Sequence, residues 1–332
     1  MVSAHVLDWL LDSDPALRWQ VERDLAHEPQ QIWDATRAQV ATQGFGKQLL
    51  AVQDPDGQWA GGAYFPADGL DPIADEPDKG GQPFTATTWS LNALREWGVD
   101  AAALGDTAQR LAENSRWEYE DLPYWDGEVD CCINAWTVAN GLWLGVDMDP
   151  LADWFAEHQL ADGGWNCEWV EGSTHSSFHS TLNSLGGLLT HEVVTGGTPR
   201  TREARRRGEE YLLERHLTRR LSTGEPVGPW LSTFAYPLRW RYSALRAADY
   251  FRNVALNDGS PPDPRISEAI ALVRAARQPD GTWLQGTPQP GRTWFDVDAP
   301  PGHPSKWLTL YGTRVLDWWD AATAGGMATL SR

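Results

Sequence analysis

The side chains best suited to chemistry gather in one part of this 332-residue chain. All three cysteines fall between positions 131 and 167, and His175 and His179 follow soon after. Thiolate and imidazole are the ligands that zinc prefers, with carboxylate acceptable. Cysteines kept only for packing would have no reason to collect in one segment. The spacing therefore indicates a metal site, and the surrounding helices must bring these positions together.

Each of these residues also has an ordinary structural alternative. A buried cysteine is commonly a small hydrophobic residue, and we expect this role for Cys131. Asp130 could cap the helix that follows it, and His179 could be a capping or core residue. Cys167 could be an additional ligand or could replace Asp130, and His175 is a further possible ligand in the same loop.

Composition excludes several classes of partner. The net charge of −19 argues against nucleic acid, which needs clustered Lys and Arg, and against an anionic membrane surface. No segment is typical of a signal peptide or a membrane anchor, because Asp8, Asp12 and Asp14 interrupt the apolar start. An odd number of cysteines disfavours a disulfide framework. We expect a cytoplasmic protein.

One turn occurs three times in the sequence. The segments 53–59, 159–165 and 278–283 each read approximately Gln-x-Asp-Gly-x-Trp, beginning at Gln53, Gln159 and Gln278. Each follows an amphipathic segment, of which residues 265–278 are the clearest. The Asp-Gly pair ends that helix, because glycine adopts the left-handed conformation readily. The turns therefore predict a repeated pair of helices.

Charged and apolar helices alternate along the chain. The segment 199–217 carries a strongly charged face and must be exposed, whereas segments with little charge are predicted to be buried. These buried helices start near Pro83, Cys131, Ser176, Arg239 and Lys306, and the segment 15–26 adds a sixth. About six hairpins predict one all-α domain over residues 1–332, closed into a ring. Its mouth would carry the loops 66–83, 224–237 and 288–304.

The repeated turn resembles the repeat motif of squalene and oxidosqualene cyclases. The β subunits of protein prenyltransferases share the same ring of helical hairpins. The resemblance covers nearly the whole chain and implies an (α/α)6 toroid around an apolar, aromatic-lined cavity. The cyclases' Asp-x-Asp-Asp acid is missing, since the nearest match is Asp296-Val-Asp298 followed by Ala299. Asp296, Asp298 and His303 could be acids, or solvated loop residues.

A second match concerns the zinc site of the prenyltransferase β subunits. These proteins begin one inner helix with Asp-x-Cys and an aromatic residue a turn later, and the next with an aromatic-His pair. Asp130, Cys132 and His179 match the three catalytic zinc ligands, and Trp136 matches the aromatic residue that packs on the prenyl chain. The resemblance implies Zn²⁺ bound by Asp130, Cys132 and His179, with Cys167 as a possible fourth ligand.

The sequence departs from this family where the diphosphate would bind. The family's Lys and Arg before Asp-x-Cys are absent, because residues 124–128 read Tyr-Trp-Asp-Gly-Glu. Arg239, Arg241 and Lys306 lie at inner helix starts. They could contact an anion, although we expect them to form salt bridges with the acidic surface. No partner subunit is evident.

Aromatic residues form the second constellation. Aromatic faces stabilise cations, which is the logic of isoprenoid chemistry, although bulky rings could simply fill the middle of a ring. The residues expected to line a substrate are Trp136, Phe178, Trp240, Tyr242, Trp307 and Tyr311.

Two functions from different classes remain. The first is a zinc-dependent enzyme, similar to these cyclases and prenyltransferases, that acts on a hydrophobic isoprenoid-like molecule. The second is a non-catalytic binding toroid with a structural zinc, for which all four ligand positions would be filled. Thiol addition of the lanthionine type ranks last, because its Cys-His-Gly hallmark is missing.

Overall fold

The computed structural model describes residues 2–69, 71–73 and 76–329. This part of the chain is mostly helical and belongs to the all-α class. Its first helices are α1 (Ala4–Leu11), α2 (Pro15–Asp24), α3 (Gln30–Arg37), α4 (Gly44–Leu50), α5 (Thr87–Trp97), α6 (Thr107–Asn114) and α7 (Cys131–Trp143). The later helices are α8 (Asp149–Glu157), α9 (Phe178–Thr195), α10 (Pro199–Leu213), α11 (Ala244–Asp258), α12 (Ser267–Ala275) and α13 (Lys306–Thr329). Among the described residues, no helix is both long and apolar enough to cross a membrane.

Two short antiparallel strand pairs interrupt the helices. Strands β1 (Asp71–Ile73) and β2 (Glu76–Gly81) form a hairpin inside the stretch 66–83, which the sequence predicted to be loop throughout. Strand β3 (Trp283–Leu284) pairs with β4 (Pro304–Ser305) and joins the third repeated turn to the start of α13. Such short strands carry no usable alternation of polar and apolar residues, so the sequence pattern does not reveal them.

The predicted alternation of buried and exposed helices is found in the described residues. In α7 and α9 buried residues occur on all sides, whereas α10 and α12 each leave one face exposed, and in α10 that face is strongly charged. The buried helices contact each other in chain order: α5 with α7, α7 with α9, α9 with α11, and α11 with α13. Helix α13 also contacts α2 near the start of the chain. Helix α11 starts at Ala244 rather than near Arg239, so Arg239 and Arg241 lie in the segment that leads into it.

The closest helix pair is α7 and α9. At Gly187 in α9, a Cβ atom would lie only 2.8 Å from Cα of Ala135 in α7. The missing side chain therefore lets the two backbones touch. This contact brings the starts of both helices, where Cys131 and Phe178 stand, to the same side of the molecule.

The three repeated turns use the same hydrogen bond to hold the preceding helix. In each, the indole Nε1–H donates over 2.9 Å to a backbone carbonyl ten residues earlier: Trp59 to Leu49, Trp165 to Phe155 and Trp283 to Val273. All three indoles are fully buried. A buried indole N–H needs a partner, and here the partner belongs to the end of a helix, where carbonyls otherwise lack one.

A second shared hydrogen bond holds the helix that follows. The backbone N–H of each Trp donates over 3.1 Å to a threonine hydroxyl in the first turn of the next buried helix: Thr87, Thr181 and Thr309. Each turn thus connects an exposed helix to the next buried one. The threonines were missed in the sequence, although one recurs near the start of these buried segments.

The third turn differs from the other two in the residue that bonds the glycine carbonyl. The side-chain amides of Gln53 and Gln159 donate to the carbonyl oxygens of Gly57 and Gly163. In the third turn Arg277 makes the corresponding contact, from Nε to the carbonyl of Gly281. Arg277 therefore occupies the position of Gln53 and Gln159, and the third turn, 277–283, is as long as 53–59 and 159–165. The motif as written from Gln278 begins one residue later than its structural equivalents.

The threonine contact can be tested with a matched pair in α13. Thr309→Val removes the acceptor for the Trp283 N–H and should lower the free energy of unfolding by about 1–3 kcal/mol, the cost of a buried donor without a partner. Thr313→Val is the control, because this buried hydroxyl has no hydrogen-bond partner among the described residues. Urea unfolding of both variants gives the comparison. An equal loss in the two would contradict the assignment.

Candidate metal centre and adjoining cavities

The segment before α7 is held by a small hydrogen-bond network. Asn134 accepts from the Glu128 N–H at 2.7 Å and donates to the Glu128 carbonyl at 2.7 Å. The Glu128 carboxylate in turn accepts from the Asp130 N–H at 2.8 Å. Asp130 is the N-cap residue of α7, but its side chain makes no capping hydrogen bond. The alternative that the Asp130 side chain caps α7 is therefore not found, and its carboxyl remains available for other contacts.

Cys167 reaches the start of α7 from a different part of the chain. It follows the second repeated turn and begins a short 3-10 helix, Cys167–Glu171. Its backbone N–H donates to the Ser180 hydroxyl of α9 at 3.2 Å. The turn at Trp165 and the first turn of α9 thus place Cys167 opposite Cys131 and Cys132.

The three cysteines form one cluster of sulfur atoms. The Cys167 Sγ lies 3.2 Å from the Cys132 Sγ and 3.5 Å from the Cys131 Sγ, and all three lie within 4.8 Å of one another. Cys131 and Cys132 are buried, and Cys167 is half-buried. This cluster could hold a metal ion. Cys131 was predicted to be a packing residue, and the structure instead places its sulfur in the cluster.

The hydrogen bonds in the cluster favour a thiolate on Cys132. Donation from the thiols of Cys131 and Cys167 holds the pKa of Cys132 well below its usual range, and Asn183 Nδ2 adds a donor at 3.4 Å. Burial raises the pKa of Cys131 well above its usual range. One negative charge is therefore concentrated on Cys132. This concentration suits metal binding, which requires thiolates.

Two carboxyl groups beside the cluster hold protons near neutral pH. Burial raises the pKa of Asp130 to about 7, and its contact with the Cys167 side chain adds to the shift. Burial likewise raises the pKa of Glu128 to about 7, helped by the charge of Asp130. Each group can therefore exchange a proton near pH 7. Nothing in the sequence pattern had singled out Glu128.

The remaining predicted ligands lie outside the sulfur cluster. Neither Asp130 nor His179 belongs to the group within 4.8 Å. His179 Nδ1 accepts a hydrogen bond from the Tyr242 N–H at 2.7 Å, so a neutral ring carries its proton on Nε2. Burial lowers the pKa of His179 to about 4, with help from Arg246 and Arg241. His179 would have to lose the contact with Tyr242, or the Nε2 proton, before it could bind a metal. Its role as a ligand stays a prediction.

The aromatic residues expected to line a substrate fall into separate groups. Trp136 packs against Tyr64 and Trp89, beside the cysteine cluster. Phe178 is buried, with its edge toward Tyr242. Further round the molecule, Trp307 and Tyr311 pack around Tyr236. The burial of Tyr64 raises its pKa, with a further contribution from the charge of Cys132. Tyr64 therefore lies near the cluster, and its position was not predicted.

Two adjoining cavities lie beside these groups, each of about 460 Å³. The first, the aromatic cavity, is lined by rings that include Trp89, Trp97, Tyr236, Trp294 and Phe295, together with the carboxyls of Glu96, Asp296 and Asp298. The second, the arginine cavity, is lined by Arg239, Arg241 and Arg246 with His179, Trp230, Trp240 and Tyr242. Both cavities share Pro237, Leu238, Arg239 and Gln289, so they are neighbours across one wall.

The predicted salt bridges of Arg239 and Arg241 are not found. Within the described residues, neither side chain forms an ion pair. The Arg239 guanidinium instead lies 4.1 Å from the centre of the Phe84 ring. Lys306 does lie among acidic residues, because its ammonium donates to the Asp12 carbonyl and Asp298 is nearby. The prediction failed for Arg239 because its guanidinium is enclosed in the cavity, whereas Arg241 is exposed but meets no carboxylate among the described residues.

No protein-family model matches the chain, and no curated protein matches it.

The raised pKa of Glu128 predicts a measurable pH dependence. A carboxyl that titrates near 4.5 when unfolded and near 7 when folded loses its stabilising contribution as pH rises between these values. Glu128→Gln does not titrate. Its free energy of unfolding relative to the parent protein should therefore rise by about 1–2 kcal/mol from pH 4.5 to pH 7, after allowance for solvent screening.

Urea unfolding of the metal-free, reduced protein across this pH range provides the measurement. Glu157→Gln, a change to an exposed carboxyl on α8, is the control and should show no such trend. A flat difference for Glu128→Gln would show that the folded protein does not hold this proton.

Proposed function

We propose that this chain is a zinc-dependent enzyme, similar to the squalene cyclases and protein prenyltransferase β subunits, that acts on a hydrophobic isoprenoid-like small molecule. The observation that carries the proposal is the convergence of three cysteine sulfurs near the arginine cavity, to which Asn183 connects Cys132 through Arg246. A thiolate cluster alone would suit a structural metal. Next to a cavity large enough for a small molecule, it can serve chemistry.

The order of helix contacts supports a closed toroid. The buried helices α5, α7, α9, α11 and α13 each contact the next, and α13 contacts α2. The step from α2 to α5 is bridged by Trp19 Nε1, which donates to the Trp97 carbonyl at 2.8 Å, and by Gln20, which donates to the Glu96 carbonyl. A ring of six inner helices would place both cavities near its centre.

The donor set suits zinc. Zinc–sulfur bonds of about 2.3 Å in a tetrahedral site separate the sulfurs by about 3.7 Å, close to the separations in the cluster. Cys131, Cys132 and Cys167 would hold the metal, and the nearby Asp130 could occupy the fourth position. When bound, zinc would polarise a substrate oxygen or activate a thiol.

The surrounding side chains would perform the rest of the work. The rings of Tyr64, Trp89 and Trp136 would exclude water and stabilise positive charge on the substrate. Asn183 would orient Cys132 through its amide N–H, and Ser180 would do the same for Cys167 from 3.5 Å. Asp130 and Glu128 would hold or release a proton beside the metal.

A non-catalytic binding toroid with a structural zinc is the second candidate. It is favoured by the deep burial of two of the ligands, since Cys131 is 1% exposed and Cys132 is 8% exposed. The two candidates differ in the fourth position of the metal. A filled position indicates a structural site, whereas an open one indicates a catalytic site.

Metal analysis tests the site itself. We expect one equivalent of zinc per chain, and replacement by Co²⁺ should give the intense sulfur-to-metal absorption bands of a thiolate site. Cys131→Ala, Cys132→Ala and Cys167→Ala should each weaken metal binding at least tenfold, because each removes a ligand. Ser184→Ala in α9 is the control, since this buried hydroxyl has no partner among the described residues. Less than about a tenth of an equivalent of zinc, with none loadable, would refute the proposal.

The variants also separate the alternative ligand sets. Full binding by Cys131→Ala, together with loss in His179→Ala, would restore the set expected from the family resemblance.

A small competing ligand then separates enzyme from binding module. The Co²⁺ spectrum should change on addition of a small exogenous thiol if the fourth position is open. Incubation of the zinc protein with a linear polyprene, a prenyl alcohol and a prenyl diphosphate, followed by mass spectrometry, should then give a product. A spectrum unmoved by the thiol, with no product from any of the three compounds, would favour the structural role.

A further inference from the structure

We propose that the arginine cavity binds the oxyanion head group of an amphiphilic substrate, whose apolar body lies in the aromatic cavity. Only the word substrate rests on the proposed function, because binding of such a molecule in the cavity does not depend on catalysis. It names the class of molecule that the site takes: an apolar chain that ends in a phosphate or carboxylate group.

The first observation is an excess of positive charge in the cavity. Three guanidinium groups line it, and its described lining contains no Asp or Glu. In this acidic chain other arginines do find carboxylates: Arg205 contacts three of them and Arg314 contacts two. Among the described residues, Arg239, Arg241 and Arg246 form no such ion pair, although all three line one cavity.

The second observation is that two of the guanidiniums are held in place by neutral groups. Arg246 donates from Nη2 to the Asn183 side chain and from Nη1 to the Arg241 carbonyl, each at 2.8 Å. Arg239 lies against the faces of Phe84 and Trp89. These contacts fix position without cancelling charge. A preorganised arginine of this kind matches the planar oxygens of carboxylate or phosphate.

Burial makes the excess charge costly when the cavity is empty. It lowers the pKa of Arg239 and Arg246 to about 10, so both remain charged at neutral pH. The negative charges of Glu96 and Cys132 act on these arginines only from outside the cavity lining. Partly desolvated charges that lack a direct partner destabilise a protein unless something binds them. An oxyanion in the cavity would remove this destabilisation, and the free energy recovered in this way would favour its binding.

The orientation of the ligand follows from the residues on two sides of the arginine cavity. Arg239 and Leu238 line both cavities, so a chain attached to the head group can enter the aromatic cavity there. On the other side, Asn183 contacts both Arg246 and the Cys132 sulfur. The head group would therefore lie next to the cysteine cluster, and the apolar body would point away from it.

Binding of three matched amphiphiles tests the proposal. Decyl phosphate, decanoate and decanol share one chain and differ only in the head group. Titration calorimetry below their micelle concentrations should show at least tenfold tighter binding of an anionic compound than of decanol. Higher ionic strength should weaken the anions alone. The stronger of phosphate and carboxylate identifies the source of the oxyanion.

Arginine variants connect this binding to the cavity. Arg239→Gln and Arg246→Gln should each reduce anion affinity about tenfold or more. The Arg246 variant should leave decanol binding unchanged, because Arg246 lines only the arginine cavity. Arg246→Lys, which keeps the charge, should retain part of the affinity if the Gln variant is folded poorly. Arg274→Gln is the control, because this exposed arginine on α12 pairs with Asp320. Equal binding of the three amphiphiles, or unaltered anion binding in the Gln variants, would overturn the proposal.

The outcomes also separate this proposal from the preceding one. Anion binding in a protein that takes up no metal would leave the arginine cavity standing and refute the zinc enzyme. Zinc binding without a preference for anionic amphiphiles would refute the proposal for the arginine cavity and leave the metal site standing.

Discussion

The hydrogen bond from a buried indole to a helix carbonyl is the interaction on which the described architecture depends. It occurs three times with the same length and the same spacing of ten residues. Together with the threonine hydroxyl that accepts from the same Trp, it sets how far each exposed helix stands from the next buried one. The burial of an indole releases substantial apolar surface from water. The hydrogen bond makes that burial possible in only one geometry.

The candidate site depends directly on the second of these turns. Trp165 connects α8 to α9, and Cys167 follows it by two residues. The position of Cys167 is therefore set by the scaffold and not by the metal. Asn183, one turn into α9, then connects the cysteine cluster to the arginine cavity through its two polar atoms. The first turns of α9 thus contact the Trp165 turn, the cysteine cluster and the arginine cavity.

Much of the helical plan could be predicted from the sequence, because it is written in local patterns. The alternation of charged and apolar segments and the Asp-Gly turns place α7, α9, α10 and α13 within a few residues. The clustering of Cys131, Cys132 and Cys167 also indicated a metal site. The membership of Cys131 could not be predicted, because adjacent residues at a helix start point in different directions, and only tertiary packing decides which of them meet a partner. The same applies to Glu128, whose carboxyl is close to the cluster only because Asn134 bends the preceding segment back. The arginine cavity was missed for a related reason: sequence shows how many charges there are, but not which of them meet.

Gly187 shows how a residue that touches no part of the site can govern it. The absent side chain at this position allows α9 to lie against Ala135 of α7. One turn along α9 stands Asn183, and one turn along α7 stand the two adjacent cysteines. Any side chain at 187 would act as a spacer between the helices and would separate Asn183 from Cys132. The distance between α7 and α9 thus depends on this one position. A single methyl group there would be enough to change the distance between Asn183 and Cys132.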